Sequence, residues 1–166
     1  MTTRAAHVIL LLIALSVGGC DQATKRWAET SLDGKPPVVL AQGRLDLTYA
    51  ENPGVAFGNE RVLPAPLRAP VVWGAALLAL AMLGVGWWRH RGAPTLTTVA
   101  AAVIAGGVAG NLLDRVIRGN VIDFIRLHGW PVFNVADVAL VVGAGLLMIG
   151  ALRTRPGGAA PPPASA

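Results

Sequence analysis

The chain has 166 residues, of which 54% are hydrophobic and only 14% are charged, and its mean hydropathy is +0.56. An ordinary soluble domain carries about 25% charged residues, so the composition argues against that class and predicts a membrane protein, with a single domain over residues 1–155. The net charge of +5 does not indicate nucleic-acid binding, because the basic residues are scattered and several flank apolar runs. One cysteine, Cys20, cannot form a disulfide framework or a cysteine metal site, and the three histidines show no metal-ligand spacing.

Four apolar stretches predict four transmembrane helices. A span takes about 20 helical residues, and the candidates cover about 5–27, 69–88, 95–113 and 133–152. The first stretch reaches this length only if it includes Asp21 near its far end. No internal repeat is evident.

The section from 28 to 67 is polar and interrupted by prolines. Within it, the run VVLAQGRLDLTYAEN alternates enough to predict a short β-hairpin or small sheet, with Gln42-Gly43 as its turn. Residues 55–63 could lie on the membrane surface. The tail from 156 to 166 consists mainly of Pro, Gly and Ala and is predicted to be disordered.

The arginines predict the topology. Arginine precedes the first span, joins the second to the third, and follows the fourth. In a four-span arrangement these places share one side, which the positive-inside rule makes cytoplasmic. Both termini would then be cytoplasmic, and the 28–67 section and the 114–132 connection would face outward. The polar groups expected to gather at that outer face are Asp21, Asn52, Asp114, Asp123 and Asp137.

Asp123 and Asp137 are the candidate catalytic pair. Ionisable groups at the edge of a bilayer are costly and usually functional, and two close carboxyls share a proton, so that one acts as base and the other as acid. Such a pair can hydrolyse a peptide bond with water. The alternative from spacing alone is that Asp123 is a loop residue and that Asp137 is a helix N-terminal charge favoured by the helix dipole.

Two groups of polar residues flank this pair. Asn111, Asp114 and Arg115 share one helix face, and Arg115 could serve another carboxylate, serve a substrate carbonyl, or anchor in the interface. Asn134 shares a helix face with Asp137 and could instead be only a helix cap.

The remaining motifs have two interpretations each. Asp21 and Lys25 are four residues apart, so they form either a surface ion pair or a substrate contact. The segment from Asn52 to Gly54 forms a turn whose backbone could grip an extended peptide. The glycines at 106–110 lack a nucleotide-binding lysine and lie inside a span, so we interpret Gly106 and Gly110 as a GxxxG surface for helix packing.

Five segments together carry a resemblance to a known family. They are DQATK (21–25), NPGVAFG (52–58), GNLLDR (110–115), VIDF (121–124) and FNVAD (133–137). In this order, over nearly the whole chain apart from the tail, they resemble the bacterial lipoprotein signal peptidases, also called signal peptidase II. Each segment alone is a weak signal for the family, but the five together are highly specific.

The resemblance implies a membrane all-α fold with four transmembrane helices, a small extracytoplasmic β-cradle and a peripheral helix. It implies a multi-pass aspartic endopeptidase of the bacterial cytoplasmic (inner) membrane, which cuts diacylglyceryl-modified prolipoproteins just before the lipidated cysteine. Inhibition by globomycin and independence of metals and organic cofactors are implied too. Nothing in the sequence demands an oligomer, and a monomer is expected.

The same resemblance implies residue roles. Asp123 and Asp137 align with the catalytic pair, and Asp114 aligns with a structural position. Six positions align with the substrate or inhibitor site: Asp21, Asn52, Gly54, Asn111, Arg115 and Asn134. Lys25, from the DQATK segment, is also predicted to bind substrate.

Two rival interpretations remain. The segment ending in Cys20 resembles a lipobox, which would make the chain a lipoprotein anchored at Cys20; three further spans argue against that. Intramembrane aspartates also serve small transporters, but there they more often lie near the middle of the bilayer.

Overall fold

The structure, a computed structural model, describes residues 2–53, 65–89 and 94–153. Gly54, the predicted surface segment at 55–63 and the predicted disordered tail lie outside these residues. The described residues form four long helices and three strands, in the order α1 (Thr3–Leu32), β1 (Val38–Leu40), β2 (Leu45–Asn52), α2 (Ala65–Arg89), α3 (Leu96–Ile117), β3 (Val121–Leu127) and α4 (Val135–Arg153), with one 3-10 turn (Ala41–Gly43).

The four helices confirm the predicted spans. Each contains a stretch long and apolar enough to cross a membrane: Thr3–Leu32, Pro70–Arg89, Leu96–Ile117 and Val135–Arg153. Helix α1 continues beyond the predicted end at 27 because its last turns bury Ala28 and Leu32 against the sheet. Helix α3 starts at a capping box between Thr95 and Thr98.

Helix α3 packs against the other three helices. A Cβ on Gly106 would lie 2.6 Å from the backbone oxygen of Ala14, and one on Gly110 would lie 2.5 Å from the Asp21 carboxylate. The backbones of α1 and α3 can therefore approach closely only because these positions lack side chains, which confirms the predicted GxxxG packing surface. At the other end of the molecule, His7 of α1 stacks on Trp87 of α2, with ring centroids 5.6 Å apart.

The strands form one antiparallel sheet in the order β1-β2-β3. The β1–β2 hairpin confirms the predicted one, and Gln42 (φ 58°) and Gly43 (φ 83°) adopt left-handed backbone conformations at its turn. The sequence patterns do not predict strand β3, which lies in the short connection between the third and fourth spans. Asp123 is therefore a strand residue, and its backbone is fixed by pairing with β2.

The sheet is anchored to the helices by a small apolar core. Its buried members are Ala28 and Leu32 of α1 with Ile122 and Phe124 of β3. The Trp27 ring meets Phe124 edge-on, with centroids 6.2 Å apart. This core holds β3 over the ends of α1 and α3 and beside the start of α4, where the polar side chains converge.

Candidate active site

Asp123 lies in the middle of β3 with only 4% of its surface exposed. On the neighbouring strand, Asn52 pairs with Val121, which makes it a diagonal neighbour of Asp123 on the same face of the sheet. The Asn52 Nδ2 group donates a hydrogen bond of 3.0 Å to Asp123 Oδ2. The register of β2 and β3 thus provides one of the carboxylate's hydrogen bonds.

Asp137 lies in the first turn of α4, where a reciprocal cap holds it. Its backbone N–H donates to Asn134 Oδ1 at 3.0 Å, and the Asn134 backbone N–H donates to Asp137 Oδ2 at 3.3 Å. This is the geometry of a capping box, built here from Asn and Asp. The alternative that Asn134 is a helix cap is therefore confirmed, and the cap itself orients Asp137.

Asn134 also connects the two carboxylates. Its buried side-chain Nδ2 donates to Asp123 Oδ1 at 2.6 Å and to Asn111 Oδ1 at 3.2 Å. Asn111 Nδ2 in turn donates to Asp137 Oδ1 at 2.9 Å. The structure therefore brings Asp123 and Asp137 together around two amides, although they come from a strand and a helix.

Burial raises the pKa of Asp123 from 3.8 to about 6. The hydrogen bond from Asn52 opposes this rise, the negative charge of Asp137 adds to it, and the hydrogen bond from Asn134 opposes it again. A carboxyl with this pKa keeps a proton to higher pH than an exposed aspartate does. Asp123 is thus suited to be the protonated member of an acid–base pair.

Beside the two aspartates lies a buried ion network centred on Lys25. The Lys25 ammonium lies 2.8 Å from Asp21 Oδ2 and 2.9 Å from Asp114 Oδ2, and these three side chains are 0% exposed. Asp21 Oδ1 accepts a 2.8 Å hydrogen bond from the backbone N–H of Ala136 in α4. Asp21 and Lys25 do form an ion pair, but the interpretation as a surface pair is wrong, because both are fully buried.

Asp114 joins α3 to α1 and to the sheet. Its Oδ1 accepts from Gln22 Nε2 (2.9 Å) and Arg118 (2.7 Å), and its Oδ2 also accepts from the Ile122 backbone N–H (3.2 Å). These contacts support the structural role predicted for Asp114. Sequence reasoning missed Gln22 and Arg118; the i,i+4 spacing of Asp114 and Arg118 was the available signal.

A cavity of about 400 Å³ opens beside the two aspartates. Its polar lining consists of Asn52, Asn111, Arg115, Asp123 and Asp137, and the rest is apolar, from α2, α3, β3, α4 and the segment before α4. The Arg115 guanidinium donates to the Asn111 backbone oxygen at 2.9 Å. Five of the predicted site residues thus face one cavity. The other four that the structure describes, Asp21, Lys25, Asp114 and Asn134, do not line it.

Within residues 2–53, 65–89 and 94–153, no group of three His, Cys, Asp or Glu side chains could hold a metal ion.

A family model described as signal peptidase (SPase) II matches residues 13–153. The chain belongs to the signal peptidase II family. One relative, the lipoprotein signal peptidase of Syntrophomonas wolfei, is 41% identical over 129 residues, which cover 78% of this chain and 83% of that protein. Another, the lipoprotein signal peptidase of Pelodictyon phaeoclathratiforme, is 38% identical over 155 residues, which cover 86% of each protein.

Two solved structures described as a bacterial membrane enzyme share the fold. One has a TM-score of 0.76 and 28% identity, covering 87% of this chain and 88% of the other. The second also has a TM-score of 0.76, with 26% identity and coverages of 89% and 94%. This likeness confirms the predicted fold of four membrane helices with a small sheet.

Proposed function

We propose that this chain is an aspartic endopeptidase that removes signal peptides from diacylglyceryl-modified prolipoproteins, cutting before the lipidated cysteine. The observation that carries the proposal is the pairing of Asp123 and Asp137 around Asn134 at the wall of a largely apolar cavity. Membership of the signal peptidase II family supports the class of substrate.

The chemistry follows from the different environments of the two carboxyls. Asp137, which accepts from the Asn111 amide, takes a proton from water, and the water oxygen attacks the scissile carbonyl carbon. Asp123, whose pKa burial raises to about 6, donates its proton to the carbonyl oxygen. Collapse of the tetrahedral intermediate breaks the C–N bond, the proton held by Asp137 passes to the leaving amine, and the proton on the former carbonyl oxygen returns to Asp123 as the C=O bond re-forms.

The cavity suits a lipid-modified substrate. Its apolar lining from α2, α3 and α4 can hold acyl chains or the signal helix, and its polar residues lie together on the wall that carries the aspartates. Arg115 and Asn52, which line this cavity, are proposed to contact the substrate backbone. Asn111 and Asn134 are proposed to hold the aspartates, and Gly54 stays a predicted substrate contact outside the described residues.

Asp21 and Lys25 were predicted to bind substrate. Their side chains are 0% exposed, so a direct contact would need the buried network to open. We therefore assign both to positioning of the site.

The ends of the helices support the proposed topology. Asp114 lies near the end of α3 and Asp137 in the first turn of α4, next to the sheet, and Asp21 of α1 binds the backbone at the start of α4. By contrast, Arg89 and Arg153 occupy the last turns of α2 and α4. Under the positive-inside rule the arginine side is cytoplasmic. The site then faces outward from the bacterial cytoplasmic membrane, and both chain termini are cytoplasmic. We also propose that the protein is a monomer, that it contacts membrane lipids and that globomycin inhibits it.

The structure supports neither rival function, the lipoprotein anchored at Cys20 nor the small transporter. Helix α1 runs unbroken through Cys20, and Val17 packs against Gly106 of α3, so cleavage before Cys20 would remove part of the helix packing. The paired aspartates lie on β3 and at the start of α4, not at a break within one of the described helices, which disfavours a transporter.

The test is cleavage of a diacylglyceryl-modified prolipoprotein by the purified protein in detergent or lipid, followed by gel shift. We expect cleavage by the parent and by the control Asp33→Asn, whose aspartate is exposed. Asp123→Asn and Asp137→Asn should lower the rate about 10²–10⁴-fold while remaining folded. Cleavage that survives in both would refute the aspartic mechanism, and a folded but inactive parent would refute the function.

A further inference from the structure

Lys25 is connected to the proposed catalytic pair by two hydrogen bonds that meet at Asn111. An ammonium group has three N–H donors and no acceptor. The structure gives this group three oxygen partners: Asp21 Oδ2 at 2.8 Å, Asp114 Oδ2 at 2.9 Å and Asn111 Oδ1 at 2.8 Å. All three donors are used, and the only uncharged partner is the Asn111 side chain.

This contact, the shorter of two to Asn111 Oδ1 (Asn134 Nδ2 also donates to it, at 3.2 Å), determines which way the Asn111 amide faces. A donor-only ammonium requires the amide oxygen, so the Nδ2 group must point the other way, where it donates to Asp137 Oδ1 at 2.9 Å. The flipped amide would place its NH2 against the ammonium and its oxygen against the carboxylate, and both contacts would be repulsive. The orientation therefore follows from the chemistry of the partners, independently of how the amide atoms are assigned.

We propose that Lys25 is a positioning residue that locks the Asn111 amide so that its N–H faces the carboxylate of Asp137. The proposal rests on the proposed function, because it matters only if Asp137 is the base. A fixed donor holds that carboxylate in one orientation, and the charged donor behind the amide polarises the amide and strengthens its hydrogen bond to Asp137. Lys25 thus prepares Asp137 without contacting the substrate.

The stability of the folded chain does not by itself explain why Lys25 is buried between two aspartates. Burying a lysine and two aspartates costs desolvation energy, and apolar replacements of such groups are often neutral or stabilising. The chain also offers a matched comparison: Arg118 is a second cation on Asp114, at 2.7 Å from its Oδ1, and the structure shows no hydrogen bond from Arg118 to Asn111 among the described residues. The two cations share a structural partner, and only Lys25 contacts the amide.

The experiment is a double-mutant cycle on prolipoprotein cleavage by the full chain in detergent. The variants are Lys25→Met, Asn111→Leu and their combination, with Arg118→Met alone and combined with Asn111→Leu as the matched control. We expect Lys25→Met to lower kcat about 10–100-fold, as loss of groups that orient a functional ligand does, with a smaller change in KM. In the Asn111→Leu background the same substitution should cost almost nothing further, since the group through which it acts is gone. Arg118→Met should change kcat only a few-fold in either background.

The coupling between Lys25 and Asn111 supplies a readout that a purely structural role would not move. The loss of kcat caused by Lys25→Met should vanish in the Asn111→Leu background, whereas the small loss caused by Arg118→Met should be the same in both backgrounds. Additive effects of Lys25→Met and Asn111→Leu, or an equal loss in Arg118→Met, would overturn the proposal. A parent that does not cleave would instead refute the proposed function.

Lys25→Met can fail to fold, since it leaves two buried carboxylates with one cation fewer. The charge-balanced Lys25→Met/Asp21→Asn then replaces it in the cycle, with Asp21→Asn as its reference. Asn111→Asp gives a test that keeps Lys25: it preserves an oxygen toward the ammonium and replaces only the donor toward Asp137. We expect it to lose activity as Asn111→Leu does, and parental activity in Asn111→Asp would overturn the proposal.

Discussion

Replacing Gly110 by alanine tests whether the packing of α1 on α3 and the geometry of the site both depend on this position. A Cβ at this position would lie 2.5 Å from Asp21 Oδ2 and 3.1 Å from its Cγ, well inside the optimum of about 3.5–4.0 Å for nonbonded carbon atoms. The carboxylate has little freedom to retreat, because Lys25 and the Ala136 N–H hold its two oxygens at 2.8 Å each. Either the ion pair or the α1–α3 packing must yield.

The magnitude is a balance of two opposing effects. Alanine favours a helix over glycine by about 1 kcal/mol, whereas overpacking a buried contact costs about 1–3 kcal/mol and a broken buried ion pair costs more. We expect a net loss of about 2 kcal/mol for Gly110→Ala. Gly145 of α4 is the matched control, because a Cβ added there would have nothing within 4 Å of it, so Gly145→Ala should be neutral or slightly stabilising.

Thermal unfolding in detergent, followed by tryptophan fluorescence, would measure both variants. For a chain of this size, about 2 kcal/mol corresponds to a fall in Tm of about 4–8 °C. Cleavage should fall with it in Gly110→Ala, since Asp21 also binds the backbone at the start of α4. A Tm for Gly110→Ala at or above that of Gly145→Ala would refute the reasoning.

Three further predictions concern the sheet and its aspartate. Because the pKa of Asp123 is raised from 3.8 to about 6, the folded state holds this proton more tightly; the stabilisation is complete below the unfolded pKa and is lost as pH rises through about 6. Between about pH 4 and 8, the free energy of unfolding of the parent should therefore fall by up to about 3 kcal/mol more than that of Asp123→Asn. An equal pH dependence of the two free energies would contradict this. Asn52→Ala removes a charge-assisted hydrogen bond and should lower kcat about 10–100-fold, whereas Glu51→Gln, on the next strand position, should cleave at the parental rate. Phe124→Ala should cost about 3–5 kcal/mol in denaturant unfolding, and Val39→Ala, 63% exposed, should cost less than about 0.5 kcal/mol.

Hydropathy and charge predicted the spans and the face on which the polar groups meet, because both depend on composition along the chain. The ends of the helices were less predictable. Helix α1 passes Trp27 because Ala28 and Leu32 find apolar partners in β3, and those partners come from a strand far later in the chain. The strand itself was missed, since residues 121–124 are all buried and show no alternation that would indicate a one-sided strand.

The hydrogen bonds of the site were beyond sequence reasoning for a similar reason. Asn134 can serve both aspartates because Phe133, just before it, pairs with Ile125 of β3, which places the start of α4 beside the strand. No spacing rule gives that contact. Likewise, the Asp21–Lys25 spacing indicated a pair but not its burial, which arises because Gly110 leaves room for the Asp21 carboxylate.

The charge balance of the buried network limits how it can influence the dyad. Asp21 and Asp114 face Lys25 and Arg118, so the opposite charges largely cancel at a distance. The network therefore acts on the dyad chiefly through the hydrogen bonds that leave it, at the Asn111 side chain and at the backbone N–H groups of Ile122 and Ala136. We infer that the task of these buried charges is to orient the aspartates, and we propose that the substrate instead meets the positive charge of Arg115, which lines the cavity.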